Sequence, residues 1–208
     1  MTVATWLVLF GIAASNGRVI TFDTGPLGKT PPDWLSVANH GRAPQWEIRR
    51  DNSAATQPYV LAQVSAESGR DRMPLAILKT MTLRDGDLSV RIKPISGREV
   101  LGGGLVWRYR DENNYYLARA SALEKNVVVY KVQNGQRTPL LTVANHDIPA
   151  NDWTILKVSL RGSRYQVYLD HRRILQGYDN TFTGSGHVGL CTVADSVAYF
   201  DDFRVYPK

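Results

Sequence analysis

Residues 102–121 read GGGLVWRYRDENNYYLARAS, a stretch that packs one Trp, three Tyr and three Arg into twenty positions. Apolar and polar side chains alternate on both sides of a polar centre, DENN, as in two antiparallel strands joined by a turn. With residues 111–114 as a four-residue loop, Arg110 faces Tyr115 and the register of the hairpin follows. Leu105, Trp107 and Tyr109 then share a face with Tyr116, Ala118 and Ala120, large against small, with Trp107 over Ala118. The other face carries Val106, Arg108 and Arg110 beside Tyr115, Leu117 and Arg119. A slip of one residue would bury three arginines, so the alternation predicts an apolar inner face and a basic, aromatic, solvent-facing outer one.

The same period of two recurs along the chain. Strands are predicted at 19–22, 46–49, 59–63, 75–79 and 88–94 before the hairpin. After it they are predicted at 127–133, 138–143, 153–161, 165–169, 174–178, 186–192 and 197–205. Asn134-Gly135 supplies a two-residue turn of the type that needs positive φ at both positions, and Gly162-Ser163 supplies one with glycine first. In WTILKVSLR, Leu156, Val158 and Leu160 fall on one face and Lys157, Ser159 and Arg161 on the other. No long segment has the 3.6-residue period of an amphipathic helix, and residues 24–44, rich in Gly and Pro, read as an ordered loop. The pattern predicts an all-β, two-sheet antiparallel sandwich of jelly-roll type. Its 208 residues suit one domain, 16–208, preceded by a distinct segment, 1–15.

That first segment has no charged side chain, an apolar run from Ala4 to Ala14, and small residues at Ala13 and Ser15. It reads as a secretory signal peptide, although Lys and Arg are missing before the apolar run; the alternative is a buried first strand, TWLVLF. The run is too short to span a bilayer, so no membrane span is expected, and a secreted or periplasmic location follows from the signal reading. The single cysteine, Cys191, lies in an apolar strand and reads as an inert buried thiol. The +6 net charge would attract acidic ligands, but the basic residues are dispersed without a basic run, so nucleic acid is not the expected partner.

Residues 102–137 and the C-terminal GSGHVGLCTVADSVAYFDDFRV resemble bacterial proteins of the concanavalin A-like lectin/glucanase fold, and among named families the 3-keto-disaccharide hydrolase-like domain. The resemblance implies a jelly roll, often exported, that acts on or holds carbohydrate. The chain departs from that pattern at Ser121, Lys125, Cys191 and Val193, which stand where relatives carry an amide, an acid, an aromatic and an amine.

The candidate ligand-binding residues are Arg108, Arg110, Tyr115, Arg119 and Asn126, because aromatic faces pack on sugar rings and guanidinium forks bind hydroxyls and carboxylates. Arginines that only lie over exposed tyrosines remain the plain alternative. Glu124, in the loop SALEKN beside Arg119, is the candidate catalytic acid or base, or else a turn residue. A glycosidase needs two carboxyl groups at a set separation, and the ExDxxE arrangement of the laminarinase-type glucanases is absent. No cofactor is required; calcium is conceivable at Asp195, Asp201 and Asp202, if a bulge lets the last two share a face. Three functions therefore stay open: a carbohydrate-binding module, a glycoside hydrolase-like enzyme, and a structural or protein-interaction sandwich.

Overall fold

The computed structural model describes residues 17–208, so the expected signal segment lies outside the described residues. Fifteen strands, numbered in chain order, and no helix occur among them. Alternating apolar residues can be buried only if two such strands' sheets face each other, and two antiparallel sheets do so here. One runs β13 (Arg172–Tyr178), β12 (Arg164–Leu169), β11 (Thr154–Arg161), β6 (Gly86–Ser96), β15 (Val197–Pro207), β4 (Tyr59–Gln63), β3 (Trp46–Arg50), with β1 (Arg18–Ile20) also paired to β15. The other runs β10 (Gln136–Ala144), β9 (Asn126–Gln133), β8 (Asn114–Ser121), β7 (Gly102–Asp111), β14 (Gly186–Cys191), β5 (Pro74–Leu83), β2 (Trp34–Ala38). This is the expected jelly-roll sandwich. Residues 34–38, expected to be loop, form β2 by pairing with residues 74–78, so tertiary pairing overrides a Pro- and Gly-rich context.

The inner faces meet in one core, with Leu156, Val158 and Leu160 of β11 opposite Leu105, Trp107 and Tyr116 of the other sheet. Trp107 stacks on Tyr116 (centroids 5.6 Å apart, planes at 19°) and reaches Tyr165 of the facing sheet at 6.2 Å. Glycines 102 and 104 are dictated by close approach. A Cβ on either would come within 2.0–2.1 Å of a carbonyl oxygen of β8.

The central strands of the seven-stranded sheet, β7, β8 and β14, are buried on both faces. Leu75, Ile77, Val106, Tyr115, Leu117 and Cys191 form a second apolar cluster on the sheet's outer side. A segment from another part of the chain lies against it. Arg72 donates to Ala194 O (3.1 Å) and Ser65 Oγ (2.7 Å), and Arg137 of β10 donates to Arg70 O (2.9 Å).

The hairpin register also differs from expectation. Asp111 pairs with Asn114, so the turn has two central residues, and Asp111 Oδ1 accepts the Asn113 N–H at 2.8 Å. Trp107 pairs with Tyr116, two positions from the expected Ala118, because β7 takes four steps from Trp107 to Asp111 where β8 takes two. That bulge is centred on Arg108, which adopts φ 49°, and it turns Tyr109 away from the core onto Tyr115 at 5.8 Å. Gly186 makes the bulge sterically feasible, since a Cβ there would lie 2.5 Å from the Arg108 carbonyl carbon.

Candidate functional site

The bulge removes Arg108 from the outer face. Its side chain is 3% exposed, and its guanidinium donates to Phe182 O (2.5 Å), to Arg84 O (3.3 Å) and to Gly162 O. Asp85 is 3.9 Å away, and burial pulls the guanidinium pKa down while Tyr116 and Asp85 push it back up. Arg108 therefore clamps three loops at one end of the sandwich and is no part of a ligand surface. Arg110 is exposed and lies 4.8 Å over the Phe182 ring. Tyr115 is on the outer face as expected, yet fully buried, with its hydroxyl unpartnered and its pKa raised by burial. The expected solvent-facing patch of arginines and tyrosine is thus replaced by a covered, apolar one.

Arg119, Glu124 and Asn126 do come together. β8 ends at Ser121 and β9 begins at Asn126, so the SALEKN turn brings all three to one sheet end; Lys125 takes φ 48° to close it. Ser121 Oγ accepts the Glu124 N–H at 3.2 Å and fixes the turn. Arg119, 3% exposed, uses a single nitrogen, Nη2, to hold Glu124 Oε2 at 2.5 Å and Asn126 Oδ1 at 2.9 Å. Buried charge is costly unless paired in this way. The Glu124 side chain is 34% exposed, and among the described residues neither its Oε1 nor the Asn126 amide nitrogen has a hydrogen-bond partner. Tyr130 of β9 completes the corner, with the Arg119 guanidinium 5.9 Å and the Arg137 guanidinium 5.1 Å from its ring. Sequence reasoning missed Tyr130 and Arg137. The alternation Val128, Tyr130, Val132 puts Tyr130 on Arg119's side of the sheet, and the Asn134-Gly135 turn returns Arg137 opposite Val132.

Beneath this corner lies Cys191, fully buried and pushed up to about 12 by burial despite the nearby Arg119 and Arg137, so it is an inert packing thiol. A Cβ on Gly104 would meet its sulfur at 2.9 Å.

The three aspartates expected to gather around calcium do not converge. Asp195 accepts the backbone N–H groups of Arg98 (2.7 Å), Glu99 (3.0 Å) and Val100 (3.3 Å); burial raises its pKa, but these donors outweigh it and the net shift is down. A bulge does intervene at Asp202 (φ 52°), yet the two carboxylates have separate partners. Asp201 accepts from Thr56 N (2.8 Å) and Oγ1 (2.9 Å), whereas Asp202 accepts from Arg91 and Arg204, both at 3.2 Å. Among the described residues, no group of three His, Cys, Asp or Glu side chains is placed to hold a metal ion. No helix among them is long and apolar enough to cross a membrane.

Two stacked antiparallel sheets in this strand order make a jelly-roll sandwich, with a polar corner on the outer face of one sheet. No family model matches the chain. It is 32% identical to a levanase of Bacillus subtilis (strain 168) over 116 residues, which are 54% of this chain and 16% of the levanase. The match thus spans only about a sixth of that relative. Among solved structures it is similar to the carbohydrate-binding module CBM66 from Bacillus subtilis, with TM-score 0.66 and 22% identity over 83% of this chain and 95% of the module. It is also similar to the GH43 protein BlXynB from Bacillus licheniformis, with TM-score 0.62 and 17% identity over 90% of this chain and 39% of that one. At these identities the structural likenesses establish the fold.

Proposed function

We propose that this chain is a carbohydrate-binding β-sandwich whose ligand rests on the outer corner of the seven-stranded sheet, against Glu124, Asn126 and Tyr130. The observation that carries this reading is the double grip of Arg119. One buried nitrogen orients a carboxylate and an amide together, leaving one free acceptor (Glu124 Oε1) and one free donor group (the Asn126 amide nitrogen) beside an aromatic ring. A preset acceptor and donor match neighbouring hydroxyls of a sugar without a further ordering cost. The similarity to a module named for carbohydrate binding, and to part of a levanase, supports the same class of ligand. Glycosidic cleavage would call for a second carboxyl group set opposite Glu124 across the bond. The uncharged, apolar segment 1–15 supports a place outside the cytoplasm.

Titration calorimetry against neutral oligo- and polysaccharides, levan among them, combined with a reducing-end assay, tests this. Saturable binding without release of reducing ends is expected. Glu124→Gln should weaken binding about ten- to a hundredfold, the scale of a hydrogen bond to a charged group. Turnover that disappears in Glu124→Gln would instead make the chain an enzyme, and unaltered binding would place the ligand elsewhere.

A further inference from the structure

The chain has no basic run, yet much of its charge surplus falls in one segment that the fold lays out as three adjacent strands. Residues 154–178, which span β11, β12 and β13, contain five cations (Lys157, Arg161, Arg164, Arg172, Arg173) and one acid, Asp170. Four of the six excess positive charges of the whole chain therefore lie in twenty-five residues. Leu156, Val158, Leu160, Tyr165, Val167 and Leu169 turn inward to the core, so the alternate residues must face out. Across the strands, Arg161 stands opposite Arg164, Lys157 opposite Tyr168, and Tyr168 opposite Arg173. Lys157 is paired with Asp87 at 3.1 Å, whereas Arg161, Arg164 and Arg173 have no carboxylate within 4.0 Å among the described residues. Asp170 lies in the turn and accepts the Ile155 N–H at 2.8 Å. Like charges directly opposite each other in a sheet are destabilising, and among the described residues neither arginine of the Arg161–Arg164 pair has a carboxylate within 4.0 Å.

We propose that this outer face of β11–β13 is a second binding surface, for an acidic polysaccharide bearing carboxylate groups. It lies on the opposite sheet from the Arg119 corner and does not depend on it. The length of the patch calls for a polymer: Arg164 and the Tyr168–Arg173 pair are four residues apart along β12, about 13 Å. Its chemistry calls for carboxylates. Guanidinium forks bind them bidentately, and the opposed amides of Gln166 and Gln176, 2.7 Å apart, can hydrogen-bond ring hydroxyls. A nucleic acid fits less well. A cation already lies over each ring, Arg164 at 5.2 Å from Tyr178 and Lys157 at 5.3 Å from Tyr168, which leaves fewer aromatic faces for stacking bases.

The probes are sodium polygalacturonate, the same polymer fully methyl-esterified, and a single-stranded oligo-dT, each titrated at low and high salt. The wild-type chain should bind polygalacturonate in a salt-weakened manner and bind its uncharged ester far less. In the double variant Arg164→Glu/Arg173→Glu, affinity for polygalacturonate at low salt should fall by about tenfold or more, since four charge units change on an exposed face. The melting temperature should move little, because both side chains are exposed and the relief of the Arg161–Arg164 opposition offsets the lost contact of Arg164 with Tyr178. The proposal is overturned if the wild type ignores polygalacturonate, if the variant binds it as well as the wild type, or if oligo-dT binds as tightly and is lost in the same variant. None of these outcomes depends on whether a neutral sugar occupies the Arg119 corner.

Discussion

Replacing Arg108 by alanine would remove the one side chain that ties the carbonyls of Arg84, Gly162 and Phe182 together at the end of the sandwich. Each hydrogen bond from a charged donor contributes about 1.5–3 kcal/mol, but a guanidinium with 3% exposure has also given up most of its hydration. The carbonyls left behind are neutral, so the loss should sit at the low end for a buried charge, about 3 kcal/mol. The left-handed backbone of Arg108 sharpens the case. A non-glycine residue there costs about 1–2 kcal/mol, and alanine keeps that cost while losing the bonds that offset it. For a chain of this length, about 3 kcal/mol lowers the melting temperature by about 6–12 °C. Differential scanning calorimetry of Arg108→Ala beside Arg108→Met separates bonding from packing, since methionine keeps much of the stem. The expected order of stability is wild type, then Met, then Ala. An Arg108→Ala protein that melts within about 1–2 °C of wild type would refute the clamp. A Met variant equal to wild type would show that the bonds only repay their desolvation.

Two further outcomes follow from the same packing. Trp107→Ala should cost about 3–5 kcal/mol in urea unfolding, because the ring is 1% exposed, stacked on Tyr116 and tilted against Tyr165 of the facing sheet. Asp201→Asn tests a buried acid whose pKa is raised by burial and by the neighbouring Asp202, against the hydrogen bonds from Thr56. The folded chain holds that proton to higher pH than the unfolded chain, so the contribution of Asp201 to stability falls as pH climbs from about 4 through the folded value. The stability of Asp201→Asn relative to wild type, from urea curves at several pH values, should therefore improve across that rise; a gap that is constant or narrows on acidification would show that Asp201 is not protonated in the native state.

What could be read from the sequence was whatever depends on near neighbours along one strand. The period of two in Leu156, Val158 and Leu160 is enough to build the sandwich, and the turn residues stand as expected, with Asn134 at φ 51°, Gly135 at φ 78° and Gly162 at φ 53°. Arg119, Glu124 and Asn126 span eight positions around one turn, so their meeting was legible too. The bulge at Arg108 was not. Alternation cannot register extra residues in one strand, because the apolar residues before and after them still alternate locally. The cover on the outer face of the seven-stranded sheet was equally hidden, since Arg72 and Arg137 reach partners far away in the chain. A covered face keeps the same hydrophobic pattern as a strand buried in any other way, and only the arginines signal that something must satisfy them. Each of the three arginines of the opening hairpin illustrates a different resolution of that demand: Arg108 is met by backbone carbonyls, the exposed Arg110 by the face of the buried Phe182 ring, and Arg119 by a carboxylate and an amide. Only the last leaves partner atoms free for something outside the protein, and that difference, invisible in the spacing of the arginines, is why the proposed ligand site lies at that corner of the sheet.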